Sequence, residues 1–223
     1  MGEAAPTLHV LAGPNGAGKT SFYESWLRPR TGAEFVNADL LVHAALGRYA
    51  TTQADATLGQ RLAEDRRAAL IASRQSLVTE STFSHPSKLH LLRHARAGGY
   101  RVIVYHVNVD SSDLAVARVA AREAHGGHPV PEDRIRGRYL RNQALIRDAV
   151  RMADRAFVID NSVRGSKPSA LIAFSSGSAT EVAPELPPWA ATLYADDLSP
   201  RAQAKSAARP TAGGRRPPSA GRS

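Results

Sequence analysis

Eight consecutive residues, Gly13-Pro14-Asn15-Gly16-Ala17-Gly18-Lys19-Thr20, fit the pattern Gly-x-x-x-x-Gly-Lys-Ser/Thr at every fixed position. The chemistry of that pattern is phosphate binding. Glycines let the backbone turn so sharply that successive N–H groups converge on one point at the positive end of the following helix. A lysine at this position is expected to reach the β- and γ-phosphates, and the hydroxyl of Thr20 to ligate Mg²⁺. The flanks agree. Leu8–Ala12 is an apolar run suited to a buried parallel strand, and Ser21–Leu27 continues as a helix that Pro29 is expected to stop. The stretch predicts binding of a nucleoside triphosphate.

Two further stretches place carboxylates where a strand ends. Asn37-Ala38-Asp39 follows the short run Glu34–Asn37, and Glu80-Ser81-Thr82 follows Gln75–Thr79. In open α/β sheets the carboxyl ends of the strands face the ligand crevice. There Asp39 could accept a proton, and Glu80 with Thr82 could orient an acceptor or a metal-bound water. Asp39 could equally serve only as the cap of a helix beginning at Leu40, and Glu80 as part of a strand-end turn. A third group is basic. After the break Gly126-Gly127-His128-Pro129-Val130-Pro131, a helix opening at Pro131 carries Arg134, Arg138 and Arg141 at intervals that put them on one face. Two arginine-bearing helices joined by a Gly/Pro hinge have the composition of a lid over phosphates, with a solvated basic face as the alternative.

The elements that must position these groups alternate. Helical patterns cover Leu40–Tyr49, Thr57–Ser73, Ser87–Ala97 and Leu114–Glu123, with Ala50–Ala56 as a polar connector. Tyr100–Val107 is the strand richest in β-branched residues, and Ala156–Asp160 is a fifth strand turning at Asn161-Ser162. Ala170–Phe174 and Ala179–Val182 form a C-terminal β-hairpin, and a last turn carries Trp189. Strands alternating with helices argue for an α/β fold, a parallel sheet between two helical layers. His106 reads as a packed residue, His125 and His128 as structural, and Arg61, Arg66 and Arg67 as a solvated helix face.

The 223 residues carry a net charge of +9 and no cysteine, which excludes disulfides and thiolate-bound zinc. Arg201, Lys205, Arg209, Arg215, Arg216 and Arg222 lie in an acid-free terminal segment of Ala, Pro, Gly and Ser. Residues 196–223 are therefore expected to be a disordered basic tail after a domain spanning 1–195. The rest is only mildly basic, and at 6% aromatic content it lacks the stacking residues a nucleic-acid interface needs. With no long apolar run and no leader pattern, the expected location is the cytoplasm and no membrane is involved.

Taken together, the loop, Asn37-Ala38-Asp39, Glu80-Ser81-Thr82, Gly99-Tyr100-Arg101-Val102, the Arg118–Arg122 helix, the Gly-Gly-His-Pro-Val-Pro hinge with its arginine helix, and Asp160-Asn161-Ser162 occur in the order found in the zeta-toxin family of P-loop kinases. Residues 8–195 resemble that family, particularly its short chromosomal members. The resemblance implies a three-layer P-loop kinase fold with strand order 2-3-1-4-5 and a helical lid. It also implies ATP or GTP with Mg²⁺ as donor, and transfer to a hydroxyl of a UDP-activated amino sugar such as UDP-N-acetylglucosamine. By the same resemblance Asp39 is the general base, and Asn37, Glu80 and Thr82 are acceptor-site residues. Arg122 and Arg138 are the lid arginines, with Arg134 and Arg136 as alternatives to Arg138, Asn161 approaches the adenine, and an antitoxin is a candidate protein partner. A kinase of nucleosides or antibiotics and a nucleic-acid-associated kinase or ATPase are the alternative readings.

Overall fold

β1 (Thr7–Ala12) is buried along almost its whole length, because it is an interior strand and both of its faces are covered. It pairs in parallel with β3 (Leu77–Ser81) on one side and β4 (Arg101–Asn108) on the other. β2 (Glu34–Val36) adds to β3, and β5 (Arg155–Asp160) adds to β4, also in parallel. The computed structural model describes residues 4–125, 127, 130–163, 165 and 167–199. Gly126, His128 and Pro129 of the expected hinge, and the tail from residue 200 onward, lie outside the described residues.

The expected order 2-3-1-4-5 holds, and the C-terminal hairpin extends it. β6 (Ser169–Ser175) pairs antiparallel with β5, and β7 (Ser178–Val182) with β6, giving one seven-stranded mixed sheet of order 2-3-1-4-5-6-7. Leu8, Val10, Val102, Val104, Ala156 and Val158 point to one face. That face is covered by α4 (Gln53–Ala72), α5 (Ser87–Ala97), α7 (Glu132–Met152) and α8 (Pro188–Leu193). Leu11, Val78, Tyr105 and Ile159 point to the other, under α1 (Lys19–Phe22) and its continuation. Each such fully buried aliphatic side chain stabilises the fold by about 1.5–3 kcal/mol.

Several local expectations are corrected. Pro29 does not stop the first helix: a π turn at Tyr23–Leu27 leads into α2 (Arg28–Thr31), and Gly32 ends it at φ 58°. Pro29 falls in the first turn after the π segment, where its missing N–H leaves no α-helical bond unmade. α3 (Ala38–Leu46) is capped by Asn37, whose side chain accepts from the N–H groups of Asp39 and Leu40. Asp39 is therefore not the cap. α4 starts four residues earlier than its apolar pattern suggests, because Thr52 and Asp55 form a reciprocal capping box. β3 runs two residues further than expected and carries Glu80 and Ser81 within the strand.

α6 (Ser112–Glu123) begins at the cap Ser111, and α7 begins after Pro131 with Glu132 and Asp133 in its first turn. Only the N-terminal turns of α7 overhang the strand ends. Tyr139 is buried and donates to the Val109 carbonyl at 2.5 Å, and Asn142 donates to the Thr82 carbonyl at 2.6 Å. Beyond them Ile146, Ala149 and Val150 enter the main core. At its far end Arg147 and Arg151 pair with Asp197, and Arg147 also with Asp196. Ordered packing thus continues past residue 195. Among the described residues no helix is long and apolar enough to cross a membrane.

Candidate active site

The loop from Gly13 to Gly18 leaves β1 and enters α1 under close constraint from its neighbours. At Gly16 (φ 79°) a Cβ would sit 2.4 Å from the Ala115 carbonyl of α6, and at Gly18 (φ 84°) 2.3 Å from the amide of Asn161. Both the conformation and the space require glycine. The Asn161 side chain donates to the Ala17 carbonyl at 2.8 Å. That hydrogen bond holds the loop from behind. Arg118 in turn donates to the carbonyls of Asn161 and Ser162, fixing that turn.

Lys19 is 4% exposed and donates to the Pro14 carbonyl at 2.9 Å, across the loop. Burial lowers its pKa from the ordinary lysine value; the nearby Glu80 and Asp39 charges oppose this and Arg122 adds to it. Glu80, at the end of β3, gathers the site. One carboxylate oxygen accepts from the Thr20 hydroxyl at 2.9 Å and from the Asn37 amide at 3.0 Å, and the other lies 3.5 Å from the Lys19 ammonium. Asn37 therefore has two tasks, capping α3 with its oxygen and binding Glu80 with its nitrogen. The backbone joins the same two strands, since the Gly13 N–H donates to the Ser81 carbonyl at 3.3 Å.

In front of the loop opens a cavity of about 880 Å³, bordered by Asn15, Asp39, Glu80, Thr82, Arg134 and Arg138 among others. Asp39 is exposed on its wall, and its carboxylate has no hydrogen-bond partner among the described residues. Arg138 Nη1 is 3.5 Å from the Asn15 side-chain oxygen. Burial and the neighbouring Arg134 and Arg141 lower the Arg138 pKa, and Asp39 opposes that shift. Arg138 faces the loop, Arg134 borders the cavity, and Arg136 turns away to Asp113, Glu132 and Ser112. Past Glu80 the chain makes a tight turn in which buried Phe83 adopts φ 52°, held by its N–H to the Ser81 hydroxyl at 3.0 Å. A bulky residue in that region is strained, and the buried Phe83 side chain holds the turn that leaves Ser81 and Thr82 at the cavity edge.

The model of the AAA domain family matches residues 8–145, more than half of the chain. The chain belongs to that family. Among solved structures, this AAA domain is similar to a chain of the AvrRxo1-ORF1:AvrRxo1-ORF2 complex solved with ATP. The two are 17% identical, with a TM-score of 0.62 over 88% of this chain and 64% of that one. It thus spans less than two thirds of that neighbour's length. It is also similar to a chain of the PezAT chromosomal toxin-antitoxin system of Streptococcus pneumoniae, at 15% identity and TM-score 0.53 over 72% of this chain and 70% of that one. A chain of the Pnkp1/Rnl/Hen1 RNA repair complex matches at 20% identity and TM-score 0.53, over 64% of this chain and 45% of that one. At such identities the likeness is one of fold, that of P-loop kinases. Curated proteins provide no match.

Within the AAA domain, the fold brings Lys19, Thr20, Asn37, Asp39, Glu80, Thr82 and Arg138 to one region. Arg122 does not border the cavity; it acts on Lys19 through its charge and packs against Gly127. Among the described residues, no group of three or more His, Cys, Asp or Glu is disposed to hold a metal. Two site residues escaped the sequence reading. Arg67 was assigned to a solvated face, yet it borders the cavity, and so does Lys88. The signal was present in their spacing: Gly59, Ala63 and Leu70 are the buried residues of α4, and Arg67 lies on that stripe. Lys88 shares a face of α5 with buried Leu92 and Ala95 in the same way.

Proposed function

We propose that the protein is an ATP-dependent phosphotransferase that acts on a hydroxyl of a small molecule, a UDP-activated amino sugar by its resemblance to zeta toxins. The observation that carries this reading is the shared cavity: the exposed carboxylate of Asp39 opens onto the same space as the phosphate loop, with Arg138 beside both. A mere nucleotide binder has no use for a free proton acceptor there. The neighbour solved with ATP supports that donor, with GTP as the alternative.

The transferring phosphoryl group spreads negative charge over its oxygens, so fixed cations do most of the catalytic work. Lys19 supplies one against the β- and γ-phosphates, and Arg138, with the more distant charge of Arg122, supplies others. Mg²⁺ fits the donor set, because the Thr20 hydroxyl and the Glu80 carboxylate are hard oxygens 2.9 Å apart. When bound, Mg²⁺ would neutralise charge on the phosphates. In the transfer, the acceptor hydroxyl oxygen bonds to the γ-phosphorus as the bond to the β-phosphate oxygen breaks. Asp39 takes the hydroxyl proton and ADP leaves. Asn37 and Thr82 border the acceptor's side, and Asn161 serves by holding the loop's shape. A compartment supplied with ATP, the cytoplasm, suits this chemistry, and an antitoxin is the candidate protein partner.

The test is Asp39→Asn. Because Asn37 caps α3, the substitution leaves the fold's hydrogen bonds in place. Loss of a general base lowers transfer by about 10²–10⁴-fold, while ATP affinity stays within about threefold. Transfer within about threefold of wild type in a folded variant would remove Asp39 from the mechanism.

A further inference from the structure

The second face of the sheet is covered over only part of its width. α1 and its continuation pack on Leu11, Val78 and Tyr105, but beyond Tyr105 the side chains of Ile103 and Phe157 are only partly buried, and Arg101 and Arg155 are exposed. The strand register sets Ile103 beside Arg155 and Tyr105 beside Phe157. Rings collect here. Phe22, Tyr23, Trp26, Phe35, Tyr105 and Phe157 all lie on this face, so the 6% aromatic content counted along the chain conceals a local concentration. Trp26, 39% exposed, meets Tyr105 edge-on with 5.8 Å between ring centres, and Tyr105 stacks on Phe157 at 5.6 Å. A guanidinium closes each end of the row, Arg30 over Trp26 at 4.7 Å and Arg155 over Phe157 at 5.5 Å.

The charge is one-sided. Among the described residues Arg30, Arg101 and Arg155 form no ion pair, while on the same face Glu24 is held by Arg28 and Glu181 stands two strands beyond Phe157. Arg151, which pairs with Asp197, abuts Gly177 in the β6–β7 turn, beside the start of β5. The described chain therefore ends near Arg155, and six basic residues with no acid follow in the sequence.

We infer that this face binds single-stranded nucleic acid, with its phosphates on Arg30, Arg101 and Arg155 and its bases stacked on the rings of Trp26 and Phe157. An unpaired strand presents base and phosphate in turn, the counterpart of rings set between cations on a sheet. Arginine suits both tasks, because its planar group can lie on a base as it lies on these rings and can fork onto a phosphate. A second copy of the chain is disfavoured, since a two-fold contact would oppose the same uncompensated arginines. An acidic polypeptide answers the charge but leaves the rings without a stacking partner. None of these residues borders the cavity, so the face is independent of the phosphotransferase reading.

The full chain, with Mg²⁺ and a non-hydrolysable ATP analogue filling the loop, is titrated with labelled oligo-dT of about twelve nucleotides. Oligo-U, a duplex of the same length and polyglutamate are titrated in parallel. Either single strand is expected to bind and to quench emission from Trp26, whereas Trp189, packed on His106 at the other face, should not respond. Affinity should fall at least about fivefold in Trp26→Leu and at least about tenfold in Arg101→Gln/Arg155→Gln, with affinity for the nucleotide analogue within about twofold of wild type. Both arginines are exposed, so the double variant tests the face even where Trp26→Leu costs stability. Binding by the terminal basic residues alone would occur without quenching and would be insensitive to these substitutions. That result, equal affinity for the duplex, or tighter binding of polyglutamate would overturn the inference.

Discussion

Two buried histidines make the fold sensitive to mild acid by a calculable amount. His106 is fully buried in β4, with Nδ1 2.8 Å from the Tyr194 hydroxyl and its ring edge-on to Trp189. Burial pulls its pKa down from 6.5 to about 3. His9 in β1 stacks on Tyr105, and burial, with help from the Arg101 charge, brings it to about 4. Above pH 6.5 both are neutral whether folded or unfolded, and neither affects stability. Below it the unfolded chain takes up two protons that the folded chain refuses, so stability falls with decreasing pH. The limiting slope is about 1.4 kcal/mol per pH unit for each histidine; because it is half developed at pH 6.5 and fades for His9 near pH 4, the pair loses roughly 5–6 kcal/mol between those values. That is comparable to the whole stability of an ordinary domain. Urea unfolding at intervals across this range measures it. In His106→Asn the starting stability is lower, but the slope should be shallower by about 1.4 kcal/mol per unit. Parallel slopes for variant and wild type, or a His106 ring resonance titrating near its ordinary value, would refute the reasoning.

Lys19→Ala removes the loop's cation and leaves its glycines; phosphoryl transfer should be lost and ATP affinity fall by at least about tenfold in a nucleotide titration. Gly18→Ala drives a Cβ against Asn161 at a positive φ; nucleotide binding should collapse, and Asn161→Ala in the same chain should recover part of the melting temperature. Asp197→Ala leaves Arg147 and Arg151 without their buried partner, and a loss of about 1–3 kcal/mol is expected in chemical unfolding. A chain ending after Ser199 keeps those pairs, so its melting temperature and turnover should match the full chain, whereas one ending at Ala195 should melt lower.

What was legible in the sequence is what depends on short-range pattern. The loop announces itself in eight residues, and the parallel strands are apolar runs separated by helical periodicity. Less legible were features decided by contacts between distant segments. Nothing local says that the hairpin of β6 and β7 completes the main sheet by pairing with β5. Nor does it say that Glu80 closes onto Thr20 and Lys19, sixty-odd residues away in the chain. Asp39 and Asn37 were separable only by the cap geometry, since either side chain can begin a helix. Arg67 was overlooked for a different reason: its charge outweighed its position on the buried stripe of α4.

The anchoring of α7 sets how firmly each arginine is held. Tyr139 and Asn142 tie the helix to Val109 just after β4 and to the turn after β3. Before them buried Ile135 packs with Ala115 and Val119 while Arg136 pairs with Asp113, so the start of the helix is fixed against α6. Arg134 adjoins Ile135, and Arg138 stands between Ile135 and Tyr139. Both guanidiniums are thus carried on a fixed backbone, the steadiness that charge stabilisation of a transition state requires.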